Sequence, residues 1–375
     1  MKKSINILID NINPVTGIKD NITNTDEDTF SVLKSMFRDA NLNYYASGTL
    51  FAYSTEDRQI ENWIYPIIIH NLNFINFMFD WGSSNKDIIG LLPPMVRQQY
   101  FQGRGTIVII IKEPLQTIDP NNNDLKNFIE MIKDNPRYNN VLFLTLHYID
   151  SPNFMFANIV EETMKDWGPT DGDRITKTYN LLENYKNRRF LCLNTNYRES
   201  SERLFLLQFL EKYNMLDEGF VSALNYPNDK LIDNIDIVKG LSKSLLNIIP
   251  EGNFDRRGYH FITEKSYRSF LHKKPFIYLG QYKGLKFIRS RGYKTFSPII
   301  NESYDDIDND KLRAATVCKE IKRLVDKPIE DFIKDMSQLQ DICEHNYKVY
   351  VSSKDNFKDK FYKKIYGTNN ANFKD

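Results

Sequence analysis

Thr106 to Ile111 reads TIVIII, six consecutive residues of which five are Val or Ile and none is charged. A half-buried strand alternates apolar and polar residues. An unbroken β-branched run of this length therefore predicts a strand covered on both faces, the place of a central parallel strand in an α/β sheet. It runs into Lys112-Glu113-Pro114, which puts Glu113 at the strand's carboxyl end, where open α/β sheets carry their functional residues. The same half of the chain offers Ser4 to Ile9, Leu50 to Tyr53 and Tyr65 to His70 as strands. Asp124 to Ile132 reads as a helix, and so does Thr29 to Phe37, whose start is preceded by the acidic Asp26 to Asp28. Asn140 to Leu146 (NVLFLTL) is a second buried strand, ending at His147-Tyr148 with Asp150 just beyond. Strands alternating with helices at this spacing predict a doubly wound α/β domain.

A second α/β series follows a polar, helical stretch over Ile175 to Asn187. Arg189 to Asn194 (RFLCLN) is a strand, Thr195 to Glu199 a loop carrying Arg198, and Ser200 to Tyr213 a helix with Arg203 in its first turn and Leu204, Leu207 and Leu210 on one face. Tyr259 to Phe296 is one further α/β unit. Thr263-Glu264-Lys265 opens an amphipathic helix, Pro275 to Leu279 is a strand closed by Gly280, and a second helical run and a short strand-like piece, Tyr293 to Phe296, come after. Lys311 to Val325 and the residues from Ile329 onwards are long amphipathic helices. The expected organisation is a pair of doubly wound domains meeting near residue 180, over 1–180 and 181–345, with a C-terminal helix and tail over 346–375.

Composition narrows the function classes. The chain of 375 residues carries 50 basic and 49 acidic side chains, a net charge of +1, so it has no long-range field to draw in nucleic acid or an anionic surface. Local basic runs remain, at Arg256-Arg257 and Lys283 to Lys294 (KGLKFIRSRGYK). Three scattered cysteines argue against a disulfide framework or a cysteine zinc site and fit a reducing compartment. Neither G-x-G-x-x-G nor G-x-x-x-x-G-K-[ST] occurs. The brief apolar run after Lys2-Lys3 ends at Asp10, too short and too polar for a signal peptide, and no stretch approaches the ~18 apolar residues of a membrane span. The expectation is a cytoplasmic protein.

Glu264 and Lys265 admit two readings. In one, Thr263 caps the helix, Glu264 complements its dipole and Lys265 is solvated. In the other, Glu264 accepts hydrogen bonds from a ribose diol while Lys265 pairs with a pyrophosphate at the helix N-terminus. Adjacent side chains on a helix point in different directions, so a single partner would not satisfy both. Asp306-Ile307-Asp308 and Asp308-Asn309-Asp310 each match D-x-D, a metal–diphosphate motif, but their place just before a helix predicts N-capping. The five histidines show no ligand spacing, and no metal is expected.

The run FITEK, a helix and then KPFIYLG resembles the donor-binding segment of α1,3-fucosyltransferases. Together with RRFLCLNTNYRESSERLFLL, NMLDEGFVSALN, GLKFIRSRGYKTF and NESYDDI, it also resembles glycosyltransferase-like proteins common in phages and large viruses, over about residues 188 to 320. The resemblance implies a GT-B architecture, two Rossmann-like domains facing a cleft, with the nucleotide sugar on the C-terminal one. It implies contact of Glu264 with the ribose and of Lys265 with the phosphates, and a phosphate-binding arginine after the domain's first strand. Arg198 is the first candidate for that arginine and Arg203 the second. Thr263 and Asn194 complete the donor set. Glycosyl transfer also needs a group to deprotonate the acceptor hydroxyl, for which Glu113 fits best, followed by Asp150 and then Asp80. The function expected is sugar transfer from a nucleotide diphosphate sugar, as substrate and with no cofactor, to a glycan or to a hydroxymethylated base in viral DNA. The other class open to this chain is a non-catalytic nucleotide-binding or interaction protein on the same frame.

Overall fold

The computed structural model describes residues 4–9, 22–23, 33–34, 40–46, 62–69, 89–90, 92–111, 124–133, 135–145, 151–156, 188–231, 237–251, 260 and 263–366. The chain divides into two compact α/β units, Met1–Met164 with Asp355–Asp375, and Lys165–Lys354. Glu113, Asp150, Asp80 and the expected elements Leu50 to Tyr53 and Ile175 to Asn187 lie outside the described residues.

The N-terminal unit holds β1 (Ser4–Ile9), β2 (Ile22–Thr23), β3 (Asn41–Ala46), β4 (Trp63–Ile69), β5 (Gly105–Ile111), β6 (Val141–Thr145) and β7 (Phe154–Phe156), with helices α1 (Pro94–Phe101) and α2 (Asp124–Lys133). The strands run in the order β3-β1-β4-β5-β6-β7, all parallel, and β2 pairs antiparallel with the end of β4. β5 contains TIVIII and is buried along its whole length. One face of this sheet shows the two-residue period of a strand: Ile5 and Ile7, Val108 and Ile110, Leu142 and Leu144 share a core with Phe361 and Ile365. Those last two residues lie one helical turn apart on α9 (Gln340–Tyr366), whose final residue donates its hydroxyl to the Ser4 carbonyl (2.7 Å).

The chain beyond residue 346, expected as a C-terminal helix and tail, is divided between the two units, and from Asp355 it groups with the N-terminal one. The physical reason is its apolar stripe, Phe357, Phe361 and Ile365, which packs into the core on one face of the N-terminal sheet.

The C-terminal unit holds β8 (Arg188–Leu193), α3 (Ser201–Lys212), β9 (Gly219–Ser222), α4 (Ile237–Ser242), β10 (Ser244–Pro250), α5 (Glu264–Leu271), β11 (Phe276–Leu279), α6 (Gly284–Ser290), α7 (Asp310–Val325) and α8 (Ile329–Gln338). Its parallel sheet has the order β11-β10-β8-β9. The chain therefore moves outward from β8 to β9, then returns to the other side of β8 and continues to β11. The reversal point between β8 and β10 is where doubly wound sheets open a crevice at their carboxyl ends.

Three local expectations differ. β10, SLLNIIP, is a fully buried strand that sequence pattern did not single out, because Asn247 interrupts its apolar run. That amide is satisfied inside the unit by Ser269 Oγ of α5 (2.7 Å). Tyr293 to Phe296 is not a strand: the Lys294 N–H goes to Asn346 Oδ1 (2.8 Å) and the Phe296 N–H to Glu302 Oε1 (2.6 Å), so side chains take the place of a ladder. On α3 the buried face is Arg203, Leu206, Leu207 and Leu210, with Leu204 only half-buried.

Both sheets use one packing device. Trp63 lies opposite Gly105 in the β4–β5 register and Phe190 opposite Gly219 in the β8–β9 register, and each ring occupies the volume a Cβ on its glycine would need. Both aromatic residues are fully buried. Overpacking of this kind costs about 1–3 kcal/mol, so Gly219→Ala and Gly105→Ala should each lower the unfolding free energy by that amount in urea titrations.

Candidate functional site

The carboxyl edge of the second sheet gathers the candidate residues of the C-terminal unit. Asn194 directly follows β8 and is 1% exposed. Its N–H donates to Ser222 Oγ at the end of β9 (3.0 Å) and its Nδ2 to the Arg203 carbonyl (2.9 Å). Its Oδ1 is buried and accepts no hydrogen bond. Buried acceptors are rarely left this way.

The turn after β8 leads into α3, whose N-cap Ser200 accepts from the Arg203 N–H (3.2 Å). The two arginines of this turn differ in kind. Arg203 is 4% exposed and points under the sheet edge, where Nε and Nη2 donate to the Pro250 carbonyl (3.2 and 3.0 Å) and Nη1 to the Asn196 carbonyl (3.2 Å). Pro250 ends β10, so Arg203 bridges the reversal point between β8 and β10. Arg198 is exposed. Its Nε meets Tyr197 Oη (2.9 Å) and its guanidinium lies 5.4 Å from the Tyr197 ring centre.

Beyond Pro250 stands Glu251, which is not among the residues singled out from the sequence. It is fully buried. Its N–H donates to the Leu279 carbonyl (2.8 Å), which fixes its backbone to the end of β11. Thr263 Oγ1 lies 2.7 and 2.9 Å from its two carboxylate oxygens. Thr263 is the N-cap of α5, and its hydroxyl also accepts the Lys265 N–H at 3.3 Å. The capping expectation therefore holds, and Thr263 does not stand free. The only sequence signal for Glu251 was its place directly after the apolar Ile248-Ile249-Pro250.

Glu264 and Lys265 do not point apart as expected. The lysine stem folds back, bringing Nζ to 3.0 Å from Glu264 Oε1 and 3.9 Å from Glu251 Oε2. One ammonium thus stands between two carboxylates. Their proton affinities diverge accordingly. Burial pushes the Glu251 carboxyl above its ordinary value and the Glu264 charge adds to this, with Lys265, Thr263 and Arg203 opposing. Burial acts in the same direction on Glu264, but the charge and hydrogen bond of Lys265, with Arg268 one turn on, outweigh it and hold that carboxyl below its ordinary value.

The acidic loop is structural in the way the D-x-D reading had as its alternative, although Asn309, not an aspartate, caps α7 through the Leu312 N–H (2.9 Å). Asp305 receives the first N–H groups of α6, from Leu285 (2.8 Å) and Lys286 (2.9 Å). A polar concavity of about 710 Å³ is lined by Arg289, Thr295, Glu302 and Arg323 among others, and by none of the candidate donor residues. Its arginines are already paired, Arg289 with Glu302 (3.1 Å) and Arg323 with Glu320 (2.6 Å). Among the described residues no group of three metal-ligating side chains comes together, and no helix is long and apolar enough to cross a membrane.

A raised carboxyl pKa in the folded chain means that the native state holds the Glu251 proton more tightly than the unfolded state does. Its contribution to stability is fully present below the unfolded value and is lost as pH rises through the folded one. Glu251→Gln removes that dependence. Urea titrations across the window above the ordinary carboxylate range should show the variant gaining on the wild type as pH rises.

No protein-family model matches the chain, and no curated protein matches its sequence. Among solved structures, a crystal structure of an α1,3-fucosyltransferase with GDP-fucose is similar over 98% of this chain and 92% of that one, at 9% identity and a TM-score of 0.47. A second α1,3-fucosyltransferase crystal structure is similar over 89% of this chain and 80% of its own, at 11% identity and a TM-score of 0.41. The N-terminal domain of Candida albicans trehalose-6-phosphate phosphatase is similar over 95% and 97%, at 9% identity and a TM-score of 0.38.

Proposed function

We propose that this chain is a GT-B-type glycosyltransferase that uses a nucleotide diphosphate sugar as donor substrate, bound by the C-terminal unit. The observation that carries the reading is the Lys265 ammonium at the start of α5, between Glu264 and Glu251, on the carboxyl side of a doubly wound parallel sheet. A helix N-terminus with a cation at a strand's carboxyl end is suited to a diphosphate.

In this reading Lys265 turns from its two carboxylates to the pyrophosphate. Glu264, held ionised by Lys265 and Arg268, can only accept hydrogen bonds and so suits the two hydroxyls of a ribose. Arg198 is the arginine free of the sheet edge and takes the diphosphate charge as the glycosidic bond breaks. Arg203 acts behind it, holding the Pro250 carbonyl. Asn194 offers its unpartnered Oδ1 to a donor hydroxyl. Stabilisation of the leaving diphosphate by lysine and arginine is the metal-independent route. Glu113, with Asp150 after it, is proposed as the base for the acceptor hydroxyl.

The acceptor is proposed to be a glycan, with a hydroxymethylated base in viral DNA as the other candidate of the same reaction. DNA would need a basic rim. The net charge of +1 favours the glycan, and in the run Lys283 to Lys294 one of the five cations, Arg289, is tied to Glu302 and Asp305. A cytoplasmic site of action belongs to the same proposal.

A panel of nucleoside diphosphates tested by thermal shift should contain at least one that raises the melting temperature, and no shift with any would overturn the donor site. Lys265→Ala should weaken that nucleotide about 10- to 100-fold, the loss of one charged hydrogen bond. Mass spectrometry of glycans and of hydroxymethylcytosine DNA after incubation with nucleotide sugars reads the transfer itself. Glu113→Gln should lower turnover about 10²- to 10⁴-fold with nucleotide affinity unchanged. Binding with no transfer to any acceptor is the outcome for a non-catalytic nucleotide-binding protein.

A further inference from the structure

Glu251 stands outside the roles just assigned, yet it is the most enclosed acid of the site. Its backbone is fixed on both sides: its own N–H to the Leu279 carbonyl (2.8 Å), and the preceding carbonyl, that of Pro250, to the Arg203 guanidinium (3.0 and 3.2 Å). The carboxylate therefore projects from a rigid sheet edge and not from a loop. It cannot turn to solvent, since the residue is fully buried. Its partners belong to the first turn of α5, with the Thr263 hydroxyl at 2.7 and 2.9 Å and Lys265 Nζ at 3.9 Å.

We infer that Glu251 is a positioning residue: from the end of β10 its carboxylate takes the Thr263 hydroxyl, sets the start of α5, and so fixes where Lys265 and Glu264 meet an anionic nucleotide. This rests on the nucleotide diphosphate reading of the same site. A threonine hydroxyl has a single proton to donate. Given to Glu251, it is not available to a ligand, so Thr263 serves as the link between sheet and helix. The same hydroxyl accepts the Lys265 N–H (3.3 Å), which joins the carboxylate to the Lys265 backbone through one atom. The Lys265 side chain is held by charge as well, from Glu264 at 3.0 Å and Glu251 at 3.9 Å. A diphosphate then meets an ammonium that is already localised, which reduces the ordering that binding requires.

The test uses Glu251→Ala, Glu251→Gln, Thr263→Val and the double variant Glu251→Ala/Thr263→Val. Calorimetry gives the dissociation constant of the nucleoside diphosphate that shifts the wild-type melting temperature most. Peptide mass spectrometry gives the rate at which an amine-acylating reagent labels Lys265 with no nucleotide present. Losing the Thr263–carboxylate hydrogen bond should weaken the nucleotide about tenfold in Glu251→Ala and in Thr263→Val, and no further in the double variant, because both break the same link. Glu251→Gln keeps an acceptor for the Thr263 hydroxyl and should stay within about threefold of wild type. Lys265 labelling should be faster in Glu251→Ala and Thr263→Val.

Wild-type affinity in a folded Glu251→Ala, or losses that multiply in the double variant, would overturn the inference. If Glu251→Ala does not fold, the other single variants decide: loss in Thr263→Val with retention in Glu251→Gln supports the link, and the reverse pattern refutes it. If the wild type binds no nucleoside diphosphate, the donor reading fails by itself, and the labelling rates still judge Glu251. Unchanged labelling in both Thr263→Val and the Glu251 variants then refutes the positioning role.

Discussion

The Pro250 carbonyl ends a strand that is buried along its whole length, and at that point the ladder can no longer supply a partner. Arg203 supplies it from α3. A second buried arginine, Arg313 of α7, does the same at β11, where its Nε donates to the Gly280 carbonyl (3.0 Å) while its Nη1 reaches the Ile307 carbonyl (2.7 Å) and its Nη2 pairs with Asp310. Unmet backbone groups in a low-dielectric interior are costly, and a guanidinium has five donors in a rigid fork with which to meet several at once. The carboxyl edge of the second sheet is thus tied by cations that reach in from the covering helices. Once those cations are buried, an acid in the same layer is stabilised, and Glu251 occupies that place, with Arg203 among the charges that oppose the cost of its burial.

The opposite edge is tied in the same way with different residues. Lys274 is 4% exposed and donates to the Ser244 carbonyl at the start of β10 (2.6 Å), and burial pulls its pKa down to about 8. Arg189, at the start of β8, joins Glu218 (2.8 Å) to the Lys327 carbonyl (2.8 Å). Between the edges the sheet is apolar and close-packed, and the Phe190 ring over Gly219 shows how little space it leaves. Rigid strands with ionised groups only at their ends suit a site that must hold charge without moving.

How far the sequence foretold this depends on what kind of signal each element carried. TIVIII was legible because both of its faces are covered and no polar residue intervenes, and RFLCLN because its run is nearly as clean. SLLNIIP is as central in its sheet as RFLCLN, yet Asn247 disguised it: the partner that makes that asparagine acceptable, Ser269, lies 22 residues away. The triplet Thr263-Glu264-Lys265 was visible from local capping rules, and its resemblance to a donor segment pointed to the same residues. The pairing of Lys265 with both carboxylates was not visible, since Glu251 arrives from another strand. The same holds for Arg203, a candidate for the phosphate by its place in the first turn of α3, whose partners at Pro250 and Asn196 arrive from outside that helix. Tyr293 to Phe296 failed in the opposite direction. Its composition is that of a strand, but Asn346 and Glu302 claim its N–H groups before any neighbouring strand could.

The last turns of α9 carry a consequence for the order in which the molecule can be made. Ile5, Ile7, Val108 and Ile110 leave the ribosome early, whereas Phe361 and Ile365, which complete their core, follow every strand of both sheets. During synthesis the core of the N-terminal sheet must wait for these two side chains while some two hundred further residues emerge, at a rate of about 5–20 per second. The first unit to begin is thus the last to finish, and the C-terminal unit can close its own core before its predecessor does.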